Sequence, residues 1–113
     1  MDQERRGLRF AFSAGGEIAP ESSPTAFVPA RVTELSLRGC FVETSASFEM
    51  RRPVLLKIYD SGEYFEAAAS VLYVHPSGMG LVFRELKPHF RAVLQKWVLT
   101  ALDHQPGARQ APG

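Results

Sequence analysis

From Pro53 to Phe83 the large side chains keep a period of two, and after Pro88 the period lengthens to that of a helix. Val54, Leu56 and Ile58 alternate with Leu55, Lys57 and Tyr59, and Phe65, Ala67, Ala69, Val71 and Tyr73 share one face of a longer run from Tyr64 to Val74. Successive side chains of a strand point to opposite faces, so this pattern predicts strands that lay one face on a core. Asp60-Ser61-Gly62 predicts the turn of an antiparallel pair, and His75-Pro76-Ser77-Gly78 a second turn before a short strand through Leu81, Val82 and Phe83. Upstream, Ala26 to Leu35 reads as extended. Ser36-Leu37-Arg38-Gly39 then turns the chain into Cys40-Phe41-Val42-Glu43, with Gly39 expected to supply a positive φ. The small residues Ala67, Ala68, Ala69, Gly78 and Gly80 permit the curvature of a small closed or nearly closed barrel. Beyond Pro88, Phe90, Val93, Leu94, Trp97, Val98 and Ala101 recur at helical spacing, which predicts one helix packing its apolar stripe on that barrel.

The ends of the chain read differently. Residues 1–24 are polar and interrupted by Gly15-Gly16 and Ser22-Ser23-Pro24, and are expected to form a mobile arm. Residues 25–103 are expected to hold the barrel and helix, and residues 104–113, rich in Pro, Gly and Gln, a disordered tail.

Composition limits the function classes. A chain of 113 residues is one domain with a modest core. Its formal charge of +1 gives no broad basic surface for long nucleic acid. A small-barrel RNA-binding module is disfavoured further by the lack of an aromatic and basic ladder on one face. The lone Cys40 excludes an internal disulfide and a cysteine-based metal site, and suits a buried hydrophobe in a reducing cytoplasm. No stretch approaches the roughly 20 apolar residues that cross a bilayer, so no membrane insertion is expected. His75, His89 and His104 have no spacing that gathers metal ligands. No nucleophile elbow, glycine-rich phosphate loop or paired acid and base is visible, so the chain is expected to be no enzyme and to carry no cofactor.

The recognisable chemistry lies in two short segments. Arg5-Arg6-Gly7-Leu8-Arg9 places two guanidinium groups four residues apart, and Glu34-Leu35-Ser36-Leu37-Arg38-Gly39 offers a carboxylate, a hydroxyl and a glycine at a turn. A guanidinium binds phosphate oxygens bidentately and can donate to O6 and N7 of guanine. A carboxylate adds an acceptor for the guanine N1 and N2 hydrogens. Together the segments read as a site for a guanine nucleotide carrying more than one phosphate.

Their order and spacing resemble the PilZ domain, whose signature is Arg-x-x-x-Arg followed by Asp/Asn-x-Ser-x-x-Gly and which binds the bacterial second messenger cyclic di-GMP. Arg5 and Arg9 match the first half; Ser36 and Gly39 match the second. Glu34 stands where the family has Asp or Asn and keeps the acceptor one methylene further out. The resemblance runs on through the strand-rich middle, the Gly78-Met79-Gly80-Leu81-Val82-Phe83 segment and the amphipathic C-terminal stretch. It implies a mainly β fold, a six-stranded antiparallel split β-barrel with a C-terminal α-helix. It also implies a receptor in which cyclic di-GMP meets Arg5, Arg9, Glu34, Ser36 and Gly39, with Arg6 and Arg38 as further phosphate or stacking contacts. Such a receptor would signal to an unidentified effector protein by ordering its arm, as a monomer or a ligand-dependent dimer. The alternative from the same resemblance is a degenerate adaptor that binds a protein of a pilus or motility system without nucleotide.

Overall fold

The structure, a computed structural model, describes residues 9–103. Six strands, β1 (Phe10–Pro20), β2 (Val28–Leu35), β3 (Gly39–Glu43), β4 (Pro53–Asp60), β5 (Glu63–His75) and β6 (Gly78–Glu85), precede one helix, α1 (Pro88–Asp103). Every pairing is antiparallel, and the strands close into a barrel in the order β1-β2-β3-β6-β5-β4. The alternation seen in the sequence sorts the side chains. Val54, Leu56, Ile58, Phe65, Ala69 and Val71 point inward and are almost wholly buried, while the intervening positions face outward or lie half-buried.

The expected arm from 1 to 24 does not describe residues 10 to 20. Those residues form β1, held on one edge by β2 and on the other by β4. Ile18 and Ala19 are fully buried and Ala14 nearly so. The Gly15-Gly16 pair, read as a break, fits the strand for a steric reason: a Cβ on Gly16 would overlap the Lys57 carbonyl oxygen of β4. Pairing with β2 and β4 satisfies the backbone of a segment whose apolar residues are interrupted by Gly, Ser and Glu, so tertiary context overrides the local signal. Residues 21–24 of the expected arm form a turn after β1, while its residues 1–8 and the tail from 104 onward lie outside the described residues.

α1 packs its buried residues Val93, Leu94, Trp97, Val98 and Ala101 on the barrel. Trp97 lies 5.5 Å from the Phe12 ring and 5.9 Å from Phe65, centroid to centroid, and Phe90 meets Phe65 edge-on at 6.1 Å. Aromatic side chains from β1, β5 and α1 thus join helix and barrel into one core. Glu63, at the start of β5, accepts from Lys96 Nζ at 3.0 Å and from Trp97 Nε1 at 3.2 Å, which fixes the rotation of the helix. The bond from Lys96, opposed by some desolvation and supported by Trp97, holds the Glu63 carboxyl below its ordinary value. Cys40 is fully buried, and that burial pushes its thiol up to about 12, so it is the inert hydrophobe expected of it. Among the described residues, no helix is long and apolar enough to cross a membrane.

Candidate nucleotide site

The second motif segment forms the end of β2, a tight turn and the start of β3. Ser36 is buried, and its hydroxyl serves the turn itself. It accepts from the backbone N–H groups of Arg38 and Gly39, each at 3.1 Å, and donates to the Gly39 carbonyl at 3.2 Å. The Ser36 N–H bonds the same carbonyl at 2.9 Å, and the Arg38 carbonyl accepts from Phe83 N–H at 2.8 Å. A hydroxyl closing on its own turn in this way fixes the backbone without help from a ligand.

Gly39 has no positive φ, contrary to the expectation from sequence. Its reason is close approach: it pairs with Val82, and a Cβ there would overlap the Leu81 carbonyl oxygen on β6. Replacing Gly39 with Ala is therefore expected to push β3 off β6 and destabilise the barrel by about 1–3 kcal/mol, as overpacking does. Urea unfolding of the variant measures this, and a midpoint equal to the parent's would contradict the packing argument.

The β1–β2 pairing carries Arg9, the last residue of the first segment, to the second. Arg9, just before β1, reaches Glu34 on β2 with its Nη1 3.3 Å from Oε1, 25 residues away in sequence. The same Nη1 donates to the hydroxyl of Tyr73 on β5, and the guanidinium carbon lies 5.3 Å from the centroid of the Tyr73 ring. These groups meet because Ala11, Glu34, Phe41, Gly80 and Tyr73 are paired in one row across β1, β2, β3, β6 and β5. The row faces outward. Phe41 stacks beside Tyr73 with ring centroids 6.2 Å apart, and His75 meets Phe41 edge-on at 5.9 Å. The hydrogen bond to Tyr73 raises the pKa of Arg9, desolvation partly opposes it, and Glu34 adds to the rise, so the cation is permanent.

Of the sequence-predicted site residues, then, the structure brings Arg9 and Glu34 into contact and sets Ser36 and Gly39 in the turn that follows. Arg38 is exposed on the far side of that turn, where its side chain lines a groove of about 490 Å³ with Leu37, Leu86, Arg91 and Leu94. Arg5 and Arg6 lie outside the described residues. A separate groove of about 560 Å³ between Phe27 and Phe90 contains none of these residues, so the motif chemistry sits on the outer wall and not in that concavity. Among the described residues, no cluster of His, Cys, Asp and Glu could hold a metal ion.

Tyr73 and Phe41 were missed as site residues in the sequence. Both sit in runs whose alternation is read as core-forming, and Tyr73 shares the period of Phe65, Ala69 and Val71. The register shift between Val71 and Tyr73 turns Tyr73 out of the core series onto the wall. Nothing local announces that shift, although the nearby glycines, Gly78 and Gly80, signal that something approaches the β6 backbone.

Comparison with known proteins agrees with this architecture. No curated protein sequence matches the chain significantly. Among solved structures, the PilZ domain of CeSA from a cellulose-synthesizing bacterium matches with a TM-score of 0.67 at 16% identity, over 87% of this chain and all of that one. The Bacillus subtilis inhibitor of motility MotI/DgrA matches with a TM-score of 0.67 at 20% identity, over 87% of this chain and 51% of that one. The PilZ domain of YcgR from Escherichia coli, solved with c-di-GMP, matches with a TM-score of 0.67 at 14% identity, over 88% of this chain and 92% of that one. At these identities the likeness is one of fold. The sequence profile of the PilZ domain matches residues 3–100, nearly the whole chain, and with the paired motif segments on a closed six-stranded barrel the chain belongs to the PilZ domain family.

Proposed function

We propose that the protein is a cytoplasmic receptor for cyclic di-GMP that signals to a partner protein. The observation that carries this reading is the meeting of Arg9 and Glu34 on the outer wall, next to a turn already rigid without ligand. Arg5, Arg6 and Arg9 supply cations for the two phosphates and donors for guanine O6 and N7. Glu34 uses Oε1 toward Arg9, and its second oxygen is directed to the N1 and N2 hydrogens of guanine. Ser36 and Gly39 act by shaping the turn beneath the base, and Arg38 extends the cationic rim.

A calorimetric titration with cyclic di-GMP, with cyclic di-AMP and GTP as controls, tests the proposal. Adenine presents N6 hydrogens where the arginines need the O6 acceptor, so cyclic di-AMP should bind much more weakly. Equal binding of the two dinucleotides would reduce the site to a phosphate patch, and no binding of either would end the receptor reading.

The relay follows from where the chain is anchored. β1 is paired with β2 from Phe10 and also with β4 from Gly15, so ligand-dependent ordering belongs to the residues before Phe10. Amide exchange is expected to slow on ligand addition around Arg5 to Arg9, while Ile18 and Val54 to Ile58 stay protected throughout. Equal exchange before Phe10 with and without ligand would remove ordering as the signal.

One observation favours the second reading, an adaptor that binds a protein without nucleotide. Glu34 Oε1 is already engaged by Arg9, and Ser36 has spent its hydroxyl on the turn. Failure of the titration moves the assignment there.

A further inference from the structure

Among the described residues, Arg9 meets Glu34 and Tyr73 through one nitrogen. Glu34 Oε1 and the Tyr73 hydroxyl each accept from Nη1. Among the described residues, no acceptor lies on Nε or Nη2. Those two atoms form the side edge of the guanidinium, the edge that engages two acceptors at once, whether two phosphate oxygens or O6 and N7 of a guanine. The side chain is 31% exposed, so part of the guanidinium is reachable from the wall.

Tyr73 holds Nη1 from an unusual seat. Phe41, Gly80 and Tyr73 are in register across β3, β6 and β5, and the Tyr73 ring lies over Gly80 so closely that a Cβ there would come within 2.3 Å of ring carbon Cε2. Phe41 supports the ring from β3, on the other side of β6, at an interplanar angle of 29°. Any larger residue at position 80 would lift the ring from the sheet and carry its hydroxyl away from Arg9. The obstacle is the far end of a mobile side chain, so the backbone need not move. That sets Gly80 apart from Gly39 and Gly78, where an added Cβ meets backbone.

We propose that Tyr73, seated on Gly80, is a positioning residue that pins Nη1 of Arg9 and thereby presents the Nε–Nη2 edge to the guanine nucleotide. Glu34 completes the anchor from β2. The pinning makes the arginine partly preorganised, so less side-chain freedom is lost when the ligand binds. This inference rests on the receptor reading for its ligand, but the pinning itself exists without ligand.

The test uses the full chain in three variants, Tyr73→Phe, Tyr73→Ala and Gly80→Ala, with two measurements on each. The first is the set of nitrogen-detected Nη signals of Arg9 in the ligand-free protein, assigned by their loss in Arg9→Lys. The parent should show separate Nη1 and Nη2 signals, because the bonds on Nη1 hold the guanidinium against rotation, and Tyr73→Phe should merge or broaden them while the melting temperature stays within a few degrees. The second is cyclic di-GMP affinity by calorimetry. Tyr73→Phe is expected to weaken it by about 10-fold, the scale of one hydrogen bond to a charged group, and Tyr73→Ala and Gly80→Ala by at least as much. An Arg9 signal unchanged in Tyr73→Phe overturns the inference. So does parent-like affinity in all three variants, which would leave the receptor reading standing. A parent that binds no cyclic di-GMP ends the receptor reading and the proposed presentation to nucleotide together, and the Arg9 signal then reports whether the pinning is real.

Discussion

Changing Arg5 and Arg9 together to alanine is expected to weaken cyclic di-GMP binding by about 10²- to 10⁴-fold. Each guanidinium contributes charge-assisted hydrogen bonds worth about 1.5–3 kcal/mol, and each 1.4 kcal/mol is a factor of ten in affinity. The barrel should be unaffected, because Arg9 is a surface residue whose ion pair with the half-exposed Glu34 adds little to stability. Arg9→Ala alone should lose about 10- to 100-fold. The remaining affinity of the double variant should also depend less on salt, since fewer partly exposed charge pairs are left to screen. Calorimetry at two ionic strengths with a thermal melt as control measures all of this. Unchanged affinity in the double variant would remove the arginine pair from the site, and with it the proposed role of Tyr73.

Trp97→Ala is expected to cost about 3–5 kcal/mol of folding stability, the range for removing a buried large aromatic. Trp97 is 3% exposed, packs against Phe12 of β1 and Phe65 of β5, and donates to Glu63 at 3.2 Å. Its removal opens a cavity where strand and helix share one core. Against a total stability of about 5–15 kcal/mol for a domain of this kind, the variant should be close to unfolding at physiological temperature. Denaturant unfolding should show a large fall in midpoint with little change in slope. Leu99→Ala on the same helix is the control. Leu99 is 65% exposed, so its loss should change stability by no more than about 0.5 kcal/mol. If the two variants behaved alike, the helix would not be part of the barrel core.

The strands from Val28 onward, the helix and its buried face are legible in the residue pattern alone, because each rests on a periodicity that local geometry turns directly into a core-facing side. Val54, Leu56, Ile58 and Val71 were legible as core, and Val93, Leu94, Trp97 and Val98 as the helix stripe, for the same reason. The paired motif segments were legible too, as residue types whose chemistry suits a guanine nucleotide. What the sequence did not reveal is whatever depends on a neighbouring strand. β1 reads as a polar arm with two glycines, although Phe10, Phe12, Ala14, Gly16 and Ile18 alternate weakly with Ala11, Ser13, Gly15 and Glu17. Only pairing with β2 and β4 makes it a wall of the barrel. Gly39 reads as a turn residue with positive φ, whereas the nearness of Leu81 on β6 is what requires it. Tyr73 reads as core until the register shift beside it sends the ring outward onto Gly80 and beneath Arg9. Local sequence sets which face of a strand is apolar, but only closure of the barrel decides which distant residues share a row, and the candidate site is built from one such row.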